Sequence, residues 1–348
     1  MLKVAKRQFR HPICWPARAA TATLGAPPSG QAVLPWPFLL RGGKPYQADI
    51  RDFARRIVVG FTLDSHQVAQ VREALLSTDS DRLIELVSCI SLGWPPPESA
   101  LLALPLTEEL GWTKPGQPAF TDTGMLAADS IREYRLWLDR DRKLHGEDHS
   151  PLLRPESYAG LEVLEPGSGF GCNLLSLQAT ALRAVGIEPV AIYEQFTEIL
   201  ATREGLNPPE IIVADAESMP VGDASFDVVL CYSAHQYMDV RRAFVEFSRV
   251  LRPGGQLQLI GGTRDDRSPM RIGNFRQLRS DWLTTINTVA YERFGRRLLT
   301  PKGLSRTTAP VYPRLRYIDV WLKAAGLHTR QDLRRRIGTD TLTVAEKK

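Results

Sequence analysis

The sequence predicts an α/β protein: a doubly wound, largely parallel sheet preceded by a mostly helical N-terminal domain. Three observations predict it. After residue 160, short apolar runs alternate with stretches long enough for a helix. Between about residues 50 and 145, apolar side chains recur at helical spacing instead. The first apolar run of the later region leads directly into a glycine-rich turn, "VLEPGSGFGCN". The divisions are an irregular basic Pro-rich arm over 1–48, a helical extension over 49–148, and a sheet domain over 149–348 with a basic insertion at about 264–315.

At 348 residues and 43% hydrophobic, the chain can bury a sizeable core. Four cysteines, at 14, 89, 172 and 231, lack the paired spacing of a zinc ribbon or disulfide framework. Together with the lack of an apolar run long enough to span a bilayer, this predicts a soluble protein of a reducing compartment, the cytoplasm. The net charge of +5 conceals a division into +7 over 1–48, −13 over 49–263 and +11 over 264–348. Basic ends suit an anionic substrate, nucleic acid or a membrane surface, but equally a solvated basic surface. The arm is acid-free, like a transit peptide, yet Ser29 is its only serine and Pro12 and Pro16 interrupt any long helix.

In the extension, "SHQVAQVREALL" places Val68, Val71, Ala74 and Leu75 on one face. "SDRLIELVSCI" does so with Leu83, Leu86, Val87 and Ile90, and must stop before "GWPPP". A turn or small hairpin is expected around Pro115 and Gly116, then a long helix. This stretch resembles the end of a winged-helix module, which some small-molecule methyltransferases use for dimerisation and substrate covering; an ordinary helical cap reads the same residues equally well.

The expected strands are "LEVLEP", "PVAIYEQ", "EIIVADA", "FDVVLCYS" and "GQLQLIGG". In such sheets ligands bind beyond the carboxyl ends of the strands, where strand order reverses. The first of these loops reads G-x-G-x-G (Gly167, Gly169, Gly171) after Glu165, with Cys172 where a dinucleotide fingerprint needs its third glycine. Glu194, 27 residues beyond Gly167, is expected at the second strand end, as an acceptor for ribose hydroxyls. Asp215 and Ala216 follow the third strand, and "FVEFSRVLRPGGQLQLI" reads as a helix closed by Pro253, Gly254 and Gly255 before the fifth.

Four motifs in this order resemble the class I S-adenosylmethionine-dependent methyltransferases, in the subgroup called methyltransferase type 11 or UbiE-like, over about residues 160–262. The resemblance implies a Rossmann-like seven-stranded sheet and S-adenosylmethionine as cofactor. Gly167, Gly169 and Gly171 would let the loop approach the methionine moiety, with Ser168 beside them and Glu165 anchoring the loop. Glu194 and its neighbour Gln195 would grip the ribose, and Asp215 and Ala216 the adenine. Cys231 would line the cofactor, although burial in the core is the simpler reading of a lone cysteine at a strand end.

Transfer of a sulfonium methyl needs alignment and exclusion of water more than it needs protein chemistry. His235, just after the fourth strand, is the candidate general base, with a structural or lining role as the alternative. Tyr232, Gln236 and Tyr237 are candidate acceptor contacts. So are Arg271 and Arg276, in an insertion where arginines and aromatics interleave, since arginine grips carboxylate or phosphate in two-pronged fashion. The expected acceptor is a small molecule, anionic or aromatic, and a homodimer is a candidate assembly. Nucleic-acid methylation is disfavoured: both the Pro-Cys context and the Asn/Asp-Pro-Pro-aromatic motif are missing. A protein substrate, or cofactor binding without catalysis, stays open as a reading of the sequence alone.

Overall fold

A computed structural model describes residues 65–78, 80–92, 96–115, 117–144, 155–266, 275–299, 310–337 and 340–348. The basic arm, Arg271 and Gly338 lie outside the described residues. The extension begins with helices α1 (Ser65–Leu76), α2 (Ser80–Leu92), α3 (Glu98–Leu101) and α4 (Leu104–Glu109). The expected hairpin follows, as antiparallel β1 (Thr113–Lys114) and β2 (Gln117–Phe120), and then the long helix α5 (Asp122–Leu144). On α1 the buried residues are Val71, Ala74 and Leu75, and on α2 they include Leu83, Leu86 and Val87, as their spacing requires.

The second half builds the sheet. Its strands are β3 (Glu162–Pro166), β4 (Arg183–Ile187), β5 (Glu210–Ile212), β6 (Phe226–Tyr232), β7 (Leu251–Ile260), β8 (Leu327–Thr329), β9 (Arg335–Ile337) and β10 (Asp340–Lys347). The helices between them are α6 (Cys172–Leu177), α7 (Ile192–Arg203), α8 (Val240–Val250), α9 (Phe275–Phe294) and α10 (Leu315–Ala324). The continuous strand order is β5-β4-β3-β6-β7-β10-β8, seven strands as expected, and the short β9 pairs with β10 as an eighth. Strands β3 to β7 pair in parallel, while β10 lies antiparallel between β7 and β8. The chain leaves β3 for β4 and β5 on one side, then returns to β6 and β7 on the other. The reversal therefore falls between β3 and β6, and the loops after these two strands border one crevice.

Alternation along the strands divides the core. Leu164, Val185, Val229 and Leu257 pack with Phe244, Phe247 and Trp321, whereas Val163, Val228, Leu230, Ile260 and Leu342 pack with Tyr158. A third cluster joins the extension to the sheet domain: Leu75, Leu83, Leu86, Ile131, Tyr134 and Trp137 share a core with Phe170, Phe196, Ile199 and Leu200. Arg203, at the end of α7, reinforces that seam. It donates to Leu75 O (2.7 Å) and Ser80 Oγ (2.5 Å) and pairs with Asp81, while Trp137 Nε1 donates to Ser176 Oγ (2.7 Å).

Two placements differ from the expectation. The second strand is "RAVGI", Arg183–Ile187, and "AIYEQ" belongs to a turn and the first turns of α7. Pro189 cannot donate to a sheet ladder, and Ile192, Phe196, Ile199 and Leu200 are buried at helical spacing, so the run after it coils. Likewise α8 ends at Val250, and Arg252 to Gly255 enter β7, whose pairing with β6 shifts register between Phe226 and Val228. Gly255 is confined there, because a Cβ would lie 2.9 Å from Arg252 O and 3.0 Å from Asp227 O.

Candidate functional site

The loop after β3 is shaped by its glycines. Gly167 has φ +73° and touches the next loop: a Cβ there would lie 2.4 Å from Ala234 Cβ, so any side chain would push the β3 and β6 loops apart. Gly169 has φ +54°, but a Cβ on it would meet nothing within 4 Å. A left-handed backbone facing open space is what close approach of a ligand requires. Gly171 caps α6, also left-handed. Glu165, buried at the end of β3, accepts from Asn173 Nδ2 of α6 and so ties the strand to the helix. Ser168 turns away from the open side, with its Oγ packed against Gly186.

The acid that partners this loop is Glu188, immediately after β4. It is buried, and its two carboxylate oxygens accept from Gly169 N and Val190 N, each at 3.0 Å. Burial pushes its carboxyl up to about 7, against the two amide hydrogen bonds that favour the charged form. Each oxygen keeps a further lone pair, so Glu188 can still accept from a diol. The sequence puts Glu194 at the end of the second strand, whereas in the fold Glu188 occupies that place. Glu194 sits in the first turn of α7, and both it and Gln195 are exposed. The missed signal was spacing: Glu188 lies 19 residues beyond Gly169 and directly follows an apolar "AVGI".

Asp215 and Ala216 occupy the loop beyond β5, as expected, with Asp215 exposed and Ala216 buried. Phe170 and Tyr193 stack with ring centroids 4.2 Å apart between the glycine loop and α7. Burial raises the Tyr193 phenol well above its usual range, reinforced by the charges of Asp129, Glu188 and Glu133. Two of those carboxylates belong to α5, so the extension reaches the edge of this site. Asp129 is itself buried beside Arg132 (2.6 Å), and burial lifts its carboxyl to about 6.

The loop after β6 carries the other candidates. Cys231 is wholly buried within the sheet, its thiol pushed up to about 12 by burial, which suits a core residue better than a reactive one. Ser233 takes a left-handed φ of +48°, uncommon for a residue with a side chain, and turns the chain into the short helical turn His235–Tyr237. His235 is 0% exposed, and burial lowers its pKa to about 4 despite the nearby Asp266 carboxylate, so the ring is neutral at pH 7. Gln236 is buried beside it, Tyr232 half-buried, and Tyr237 half-exposed.

Described residues of the stretch 264–315 hydrogen-bond to this loop. Val311 N donates to Gln236 O (2.8 Å), Arg297 Nη2 to Met238 O (2.6 Å), and Tyr291 Oη to Asp239 Oδ1 (2.6 Å). Tyr291 and Arg297 thus fix the insertion to the loop, while Trp282 and Phe294 are exposed. Arg276 falls at the start of α9 with its side chain outside the described residues, and Arg271 lies outside them entirely. No cluster of metal-binding side chains occurs among the described residues, and no described helix is long and apolar enough to cross a membrane.

Residues 164–259 match the family model described as a methyltransferase domain. An uncharacterized methyltransferase of Bacillus subtilis, YcgJ, is 31% identical over 125 residues, which are 35% of this chain and 49% of that one. A Mycobacterium bovis protein, also an uncharacterized methyltransferase, is 36% identical over 109 residues, 31% of this chain and 43% of its own. The chain thus spans about half the length, or less, of these curated relatives. Among solved structures, a SAM-dependent methyltransferase from Methanosarcina mazei aligns with 58% of this chain and 99% of its own at 19% identity and a TM-score of 0.43. The stretch that matches the methyltransferase-domain model runs from β3 to β7 and holds the glycine loop and Glu188 after β4.

Proposed function

We propose that the chain transfers a methyl group from S-adenosylmethionine to a small-molecule acceptor. The observation that carries this reading is the pairing of Gly169 with Glu188: a left-handed glycine facing open space, its N–H held by a buried carboxylate that keeps lone pairs to spare. These residues fit the cofactor. Glu188 would hold the ribose hydroxyls, Gly167 to Gly171 the methionine end, and Asp215 with Ala216 the adenine. When bound, S-adenosylmethionine supplies an already electrophilic methyl carbon. The protein's part is then to align an acceptor and exclude water. The cover of Arg297 and Val311 over residues 236–238 serves the second task, and the Asp129 and Glu133 side of α5 supports a covering role for the extension.

The test is binding and transfer. Wild type should be stabilised against heat by S-adenosylhomocysteine and should label a component of fractionated extract from methyl-labelled S-adenosylmethionine. Gly169→Val, which forces a branched side chain into φ +54° and into the open space, should lose at least tenfold in cofactor affinity. Equal binding by both proteins would place the cofactor elsewhere.

A further inference from the structure

The glycine loop carries one large apolar side chain, and that side chain is buried. Phe170 lies between Gly169 and Gly171 and is 5% exposed. Its ring is 4.2 Å from that of Tyr193 and meets Phe196 edge to face at 5.9 Å, both on α7. Gly171 packs on the same helix, where a Cβ would lie 2.6 Å from Thr197 Cγ2. Gly169, by contrast, faces open space, with its N–H held by Glu188. Phe170 is therefore the anchor of a loop that its glycines would otherwise leave free, since glycine gives the backbone its widest choice of conformation.

The core that receives Phe170 is shared with the extension. Leu75, Leu83, Ile131, Tyr134 and Trp137 belong to it, together with Phe196 and Leu200 of α7. Helix α5 also grips both helices that flank the loop. Trp137 Nε1 donates to Ser176 Oγ of α6 at 2.7 Å, and the Tyr134 hydroxyl donates to Glu204 just beyond α7, with the Arg203 guanidinium 5.9 Å from the Tyr134 ring. Asn173 of the same α6 holds Glu165 at the end of β3. A shift of α5 would thus loosen α6, α7 and Phe170 together. Helix α5, at Asp122–Leu144, lies outside the stretch 164–259 that matches the methyltransferase-domain model.

We infer that Phe170 is a positioning residue for cofactor binding, and that α5, through Trp137 and the shared core, holds the glycine loop in the form the cofactor requires. The inference rests on the methyltransferase reading above and deepens it, by assigning part of the cofactor's affinity to residues behind the loop. A loop that is ordered only on binding loses affinity to that ordering, whereas a loop already anchored does not. The extension then has a task besides covering: it sets the affinity of the loop.

The experiment measures S-adenosylhomocysteine binding to the full chain by titration calorimetry, at a temperature where circular dichroism shows every variant folded. Phe170→Leu keeps an apolar side chain but loses both ring contacts, and should raise Kd about tenfold, the scale of two aromatic pairs. Trp137→Phe removes the N–H given to Ser176 and should raise Kd about fivefold, the scale of one hydrogen bond. The double variant should bind more tightly than the product of the two effects requires, because both release the same loop; a full product of about fiftyfold overturns the link between α5 and Phe170. Arg334→Ala, which breaks a pair separated from the loop by three strands, is the control for stability alone. A merely structural role for Phe170 and Trp137 would likewise lower Tm and leave the Kd of the folded protein at its wild-type value, and that result overturns the inference while leaving the methyltransferase reading intact. Phe170→Met, which fills the site with a more adaptable side chain, makes the same test should the Leu variant not fold. Absence of binding by the wild type overturns the methyltransferase reading itself, and the inference with it.

Discussion

At the scale of single residues, the two buried titratable groups of the site should oppose one another in pH. Glu188 has its carboxyl raised from 4.5 to about 7, so the folded state binds more protons than the unfolded one between those values, and its contribution to stability falls as pH rises across them. The buried Asp129, raised from 3.8 to about 6, acts in the same direction. His235 is lowered from 6.5 to about 4, so there the unfolded state binds more protons and stability rises with pH. From about pH 4.5 to 6 two falling slopes oppose one rising slope, so these groups leave a net fall of stability with pH. Glu188→Gln should therefore flatten the fall of Tm with pH across that window, and His235→Asn should steepen it. The shift at Glu188 corresponds to a maximum on the order of 3 kcal/mol, which calorimetry can resolve. A Glu188→Gln curve parallel to wild type would show that this carboxyl is not buried as described.

At the scale of elements, what the sequence made legible was the periodic part. The amphipathic spacing of α1 and α2, the apolar runs of β3, β5 and β6, and the glycine loop followed the rules of local structure, because each is specified by its own residues. The acid after β4 was misread because "PVAIYEQ" is apolar enough for a strand, and only the neighbouring sheet and the helical burial of Phe196 and Leu200 decide that it coils. The roles of Tyr291 and Arg297 are not legible in the sequence for a related reason: their partners, Asp239 and Met238, lie more than fifty residues away. Arg203 is another long-range element, joining α7 to the α1–α2 corner more than 120 residues earlier. Arg203→Ala would leave Asp81 and Leu75 O without their donor. The expected cost is roughly 2–4 kcal/mol, or a fall in Tm of about 5–12 °C. Arg203→Lys, which can serve only part of that fork, should fall between. If Arg203→Ala melts like wild type, the extension is not fastened at this seam.

At the scale of the whole molecule, the fold shows which of the C-terminal arginines are already engaged. Residues 264–348 carry a net +11, which on the sequence alone suits an RNA-binding face. In the fold, Arg314 pairs with Glu292 (2.6 Å), Arg330 with Asp332 (2.8 Å) and Glu346 (2.7 Å), Arg334 with Asp319, and Arg336 with Asp266 (3.1 Å). These contacts fasten β9 and β10 to α10 and to the turn after β7. The carboxylates belong to the same stretch and are already counted in its +11, so the pairing leaves that net charge standing; for these four arginines, however, phosphates would have to compete with fixed carboxylates. Arg334, held by Asp319 and by Gln331 Oε1 (3.0 Å), is the sharpest test because its side chain is only 17% exposed. Arg334→Ala should lower Tm while leaving retention of bulk tRNA on a filter, and its dependence on salt, the same as in wild type. Were phosphates bound here, the variant would instead hold its Tm, lose tRNA retention and reduce the salt slope by about one. Asp319 lies on α10 and Arg334 beside β9, separated from the glycine loop after β3 by β6, β7 and β10, so loss of the pair should also leave S-adenosylhomocysteine binding unchanged. That combination, altered stability with unaltered ligand and nucleic-acid binding, is what a fastening role for the C-terminal charge requires.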